Sequence, residues 1–108
     1  MIHCLIFEQD AQTRKSVGAM IEDCGLEPIF ATSVLEGLTQ CYDNMPEIII
    51  CNIALPDFNG DEFLSVLRSM PNGHDPYVIF SSDAHLGRMQ LTSYLETLRD
   101  GIVRAAFG

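Results

Sequence analysis

The chain has 108 residues, 47% hydrophobic and 19% charged, which suits one globular domain spanning 1–108 and argues against a disordered tail or a two-domain chain. Six Lys+Arg against fifteen Asp+Glu give a formal charge of −9, which argues against direct binding to nucleic acid or to an anionic membrane surface. No apolar run approaches the roughly 18–20 residues that span a bilayer. Met1-Ile2-His3-Cys4 carries neither the basic region nor the cleavage site of a secretion signal, so the expected compartment is the cytoplasm. Cys4, Cys24, Cys41 and Cys51 are widely spaced in apolar stretches and form no C-x-x-C, so they are expected to be reduced and buried. His3, His74 and His85 lack spaced metal-ligand partners and are expected at the surface or at a strand edge.

The elements alternate between two periods. Ile2–Phe7 is a continuous apolar run, as in a strand covered on both faces. Asp10 can cap a helix whose face is Val17, Met20, Ile21 and Cys24, and Gly25 stops it. Leu26–Ala31 reads as a second strand, and Pro28 places it at a sheet edge. Ser33 and Glu36 form a possible capping box before a helical face of Val34, Leu35, Leu38, Cys41 and Tyr42. Glu47–Cys51, with three isoleucines in succession, is the purest strand. A loop with Pro56 and Gly60 follows. Asn59 can cap a third helix with Phe63, Val66, Leu67 and Met70 on one face. Tyr77–Phe80 is a fourth strand, Leu91, Tyr94, Leu95 and Leu98 mark a fourth helix, and Ile102–Phe107 reads as a fifth strand. The order βαβαβαβαβ predicts right-handed crossovers and a doubly wound parallel sheet of order 2-1-3-4-5. The helix that would follow the fifth strand and cover one face beside the first helix is absent. The chain is therefore expected to be the N-terminal part of a longer protein, or to leave apolar surface for a partner.

In such a sheet the site lies at the C-terminal ends of the strands. Those ends read Glu8-Gln9-Asp10, Asn52 and Ser81-Ser82-Asp83. Glu8–Lys15 contains no glycine, which weighs against a dinucleotide or P-loop enzyme.

These residues resemble the receiver domain of two-component response regulators, a flavodoxin-like (CheY-like) α/β fold. The most specific stretch is Ile50-Cys51-Asn52-Ile53-Ala54-Leu55-Pro56-Asp57-Phe58-Asn59-Gly60, where Asn52, Pro56 and Gly60 keep the family spacing. The resemblance implies that Asn52 stands at the phosphoacceptor position and that Glu8, Gln9 and Ala54 stand at degraded metal-site positions. It implies further that Ser81 is the switch hydroxyl. Asn52 and Gln9 replace carboxylates by neutral amides, so no cofactor is expected and Mg²⁺ binding should be weak or absent. The family's strand-five lysine falls on Ala105 in one register and beyond Gly108 in another. The second register, with Ser81-Ser82-Asp83, is similar to receivers attached to EAL-type phosphodiesterase domains. The expected function is a non-enzymatic pseudo-receiver acting through a protein partner, an attached output domain or a second copy. Arg88, Gln90, Arg99 and Arg104 are candidate contact residues. Two alternatives stand beside it: a phosphorylatable receiver drawing its acid from Asp57 or Asp10, and a small-ligand binder using the same crevice.

Overall fold

The structure is a computed structural model that describes residues 1–52, 58–71, 75–81 and 88–107, with backbone alone for Asn52, Ser81, 88–90 and Phe107. Its elements are β1 (His3–Phe7), α1 (Ala11–Asp23), β2 (Glu27–Ala31), α2 (Val34–Asp43), β3 (Ile48–Asn52), α3 (Gly60–Arg68), β4 (Tyr77–Ser81) and α4 (Arg88–Phe107). The strands form one parallel sheet of order β2-β1-β3-β4. The doubly wound α/β class and the edge position of Pro28 on β2 are as the sequence predicts.

Alternation along the two central strands sorts the core into two layers. Leu5 and Phe7 of β1 join Ile49 and Cys51 of β3 against Cys41, Phe63 and Leu67 of α2 and α3. Cys4 and Ile6 join Ile48 and Ile50 against Met20 and Ile21 of α1 and Leu95 of α4. The aromatic rings of Phe7 and Phe63 meet edge to face at 5.4 Å in the first layer.

The helix starts are capped where the sequence places them. Asp10 Oδ2 accepts from the Thr13 amide at 2.8 Å, Ser33 Oγ from the Glu36 amide at 3.1 Å, and Asn59 Oδ1 from the Glu62 amide at 3.1 Å. In the Ser33–Glu36 capping box, Glu36 Oε2 accepts from the Thr32 hydroxyl at 3.2 Å. Gly25 ends α1 with φ +80°, the left-handed value that glycine accepts without strain.

Two expectations are corrected. Ile102–Phe107 is not a fifth strand but the last part of α4, so the described sheet has four strands and the register that sets the family's lysine on Ala105 falls away. Short apolar runs do not distinguish strand from helix by themselves. Here Leu91, Leu95, Leu98 and Ile102 repeat at four, three and four residues, and this stripe seats the helix on the α1 layer as one 20-residue piece. Helix α4 thereby covers the face beside α1. Arg99 secures it: its Nη1 donates to the Cys24 carbonyl at the end of α1 at 2.6 Å, and its head pairs with Asp100. Arg99 is thus a structural clamp and not a free contact residue.

The second correction concerns helix faces. Leu35 is 75% exposed, Tyr42 61%, Val66 39% and Tyr94 51%, so none is core. In α2 the seat nearest the sheet belongs to Gly37, which lies directly under the Phe7 ring and turns Leu35 and Tyr42 outward. His3 is not isolated: its ring lies 3.3 Å from a Glu27 carboxylate oxygen and 3.8 Å from one of Glu47, joining the lower ends of β1, β2 and β3. His74 and His85 lie outside the described residues.

All four cysteines are buried thiols outside any disulfide. Burial pushes the Cys4 and Cys51 thiols up to about 12 and Cys41 to about 11. A thiol reagent should therefore label none of them at pH 7 in the native chain and all four after denaturation. Native labelling in step with mixing would contradict their burial.

A methyl group on Gly37 would press into the buried Phe7 ring, whereas Gly101 has open space around it. Gly37→Ala should lower unfolding free energy by about 1–3 kcal/mol. Gly101→Ala, within α4, should raise it by about 0.5–1 kcal/mol. Urea unfolding of the two variants measures both.

Candidate functional site

The strand ends are brought level by backbone pairing. Phe7 pairs with Cys51, and one residue on, Asn52 pairs with Ser81. Residues 8, 52 and 81 therefore share the C-terminal end of the sheet on three neighbouring strands. Ala54, Pro56, Asp57, Ser82 and Asp83 lie outside the described residues.

The β1–α1 connection is tightly tied. The Glu8 amide extends the ladder to β2 by donating to the Ala31 carbonyl at 3.0 Å. Glu8 Oε2 accepts from the amides of Gln9 and Asp10 at 3.0 and 3.2 Å. Asp10 Oδ2 holds both the amide and the hydroxyl of Thr13. These bonds favour the ionised carboxyl and hold Asp10 below the usual aspartate range. Gln9 Nε2 donates to the Thr32 carbonyl at 3.3 Å, so its amide leans over the β2 side of β1, away from β3.

Arg14, which the sequence reading overlooked, completes the loop. Its Nη1 donates to the carbonyls of Glu8 and Gln9 at 3.2 and 2.7 Å. The available signal was spacing: Arg14 sits one helical turn after the cap Asp10, on the side that faces the loop.

Mg²⁺ takes hard oxygen ligands, several of them anionic. At this end of the sheet Gln9 and Asn52 are neutral amides, and Glu8 and Asp10 each commit an oxygen to backbone amides. A guanidinium lies against the two loop carbonyls. Among the described residues this donor set does not fit Mg²⁺. Among the described residues no three His, Cys, Asp or Glu side chains gather as a metal site. A cavity of about 220 Å³ lined by Leu5, Ile29, Gln40, Asp43, Asn44 and Pro46 lies toward the opposite end of the sheet from Glu8.

With this geometry in hand, the likenesses to other proteins are specific. No protein-family model matches the chain. It is 31% identical over 68 residues to the KDP operon transcriptional regulatory protein KdpE of Escherichia coli, a match covering 63% of this chain and 30% of that protein. The chain spans only 14–53% of the length of the curated relatives it matches. Among solved structures it superposes on a response regulator receiver domain protein from Clostridium thermocellum with TM-score 0.72 at 13% identity, covering 95% of this chain and 99% of that one. It also superposes on the response regulator domain of Thermotoga maritima CheB with TM-score 0.68 at 20% identity, covering 93% and 95%. The class is therefore plain: the fold is that of a response-regulator receiver domain. Among the described residues no helix is long and apolar enough to cross a membrane.

The cap bonds make a pH-dependent contribution with a definite sign. The folded carboxyl of Asp10 titrates below its unfolded value, so its contribution is present at neutral pH and lost as pH falls through the folded value. Asp10→Ala should lower the urea midpoint at pH 7, and the gap from wild type should narrow below the ordinary aspartate range. A gap that stays constant through acid pH would contradict this role.

Proposed function

We propose that the chain is a response-regulator-type signalling module that has lost phosphoacceptance and acts by protein–protein recognition. The observation that carries this reading is the backbone register that sets Asn52 beside Ser81, with Glu8 one position beyond the neighbouring Phe7–Cys51 pair. At the place where a receiver presents a nucleophilic carboxylate, this chain has a carboxamide. An amide oxygen carries no negative charge to attack phosphorus and forms no stable acyl phosphate. The amide of Gln9 and the guanidinium of Arg14 further disfavour the dication that would neutralise the transferring group.

Without that modification, any two-state balance in the domain is set by what binds it. The expected partner is a protein: an attached output domain, another regulator or a second copy. The overall charge of −9 keeps the segment itself away from nucleic acid.

Incubation with acetyl phosphate and Mg²⁺ should leave the intact mass unchanged, and beryllofluoride with Mg²⁺ should leave the melting temperature unchanged. A phosphoryl adduct on the unaltered chain would overturn the proposal in favour of an acid such as Asp57 or Asp10. The double variant Asn52→Asp, Gln9→Asp should gain Mg²⁺-dependent stabilisation by beryllofluoride. A folded double variant with no gain would place the pocket elsewhere.

A further inference from the structure

A helix ends with carbonyls that lack intrahelical partners, and a positive group near them offsets their partial negative charge. Among the described residues, α3 carries Arg68 and α4 carries Arg104 in the last turn. α1 has no base of its own there, but Arg99 of α4 donates to the Cys24 carbonyl at its end. α2 differs. Its last turn holds Asp43 and no base, and among the described residues Asp43 enters no ion pair.

Beside this end of α2 lies the cavity of about 220 Å³. Leu5 and Ile29, which pair across β1 and β2, give it apolar walls together with Pro46. Gln40, Asp43 and Asn44 form its polar side, three residues within about one helical turn. Gln40 adds an orphaned acceptor. Its Nε2 donates to the Phe30 carbonyl at 3.2 Å, and because that carbonyl can only accept, the amide cannot be turned round. Oε1 is left buried with no hydrogen-bond partner among the described residues. A buried acceptor without a donor is destabilising, and folded proteins keep few of them. The polar side thus joins a carboxylate, helix-end carbonyls and an unpaired amide oxygen.

We infer that this cavity binds a primary alkylammonium group on a short carbon chain. The ammonium brings what the polar side lacks, a positive charge and three N–H donors, toward Asp43 and Gln40. The carbon chain lies on Leu5, Ile29 and Pro46. The volume limits the guest. An apolar cavity of about 150 Å³ accepts benzene, so one of this size suits roughly six to nine non-hydrogen atoms and is too small for a nucleotide. A carboxylate or phosphate would meet Asp43 and the negative end of α2. A free short-chain amine has the required form, and so does the lysine side chain of another protein. The cavity lies away from residues 8, 52 and 81, so this inference does not depend on the phosphoacceptor reading, and either can fail without the other.

Methyl NMR titration of the chain at pH 7 tests it. n-Pentylamine should shift the Leu5 and Ile29 methyl resonances saturably, with Kd on the order of millimolar. 1-Pentanol, similar in shape but neutral, should bind more weakly by about threefold or more, and pentanoate should leave those methyls unmoved. Asp43→Lys should weaken pentylamine by about tenfold or more and leave 1-pentanol unchanged. Asp23→Lys, the matching change of charge in the last turn of α1, should leave pentylamine binding unchanged. Nα-acetyl-lysine N-methylamide separates the two sources. Binding tighter than pentylamine assigns the cavity to a lysine side chain, and weaker binding assigns it to a free amine. No saturable shift by either amine, equal binding of pentylamine and 1-pentanol, or equal weakening by the two charge variants overturns the inference.

Discussion

Burial of β1 and β3 on both faces governs the rest of the molecule. Residues 4–7 of β1 and 48–51 of β3 each face a packed layer, so a slip of one position would exchange Phe7 with Ile6 and Cys51 with Ile50 between two differently shaped cores. The layer beneath Phe7 is cut to that ring: Gly37 on α2 leaves room for it, and Phe63 meets its edge. The other layer is shaped by isoleucines against α1 and α4. Because the register cannot slip, the strand ends come out level, and residues 8, 52 and 81 meet at one end of the sheet.

That end is built for rigidity and not for charge. Acidic side chains there serve mainly the backbone: Glu8 accepts from the two amides that follow it, and Asp10 caps α1. Arg14 draws the loop carbonyls inward.

By carrying Leu91, Leu95, Leu98 and Ile102 back over the α1 layer, α4 completes one face of the sheet. The β2 edge of the sheet is guarded by proline and glutamate.

The amino-acid sequence by itself determined the first four strands, the three capped helices, the edge position of β2 and the grouping of Glu8, Asn52 and Ser81. These rest on local rules: apolar runs, cap residues, a proline that cannot donate, and loops that must follow strands in a parallel sheet. It did not determine the fate of Ile102–Phe107, since an apolar run of that length satisfies either period until a neighbouring layer selects one. Nor did it show that Leu35, Tyr42 and Tyr94 face outward, because helical spacing allows a wider face than the sheet has room to cover. The links from His3 to Glu27 and Glu47, and from Arg99 to the end of α1, were equally invisible. Each joins residues far apart in the chain, and only packing the layers together brings such groups within a few ångströms.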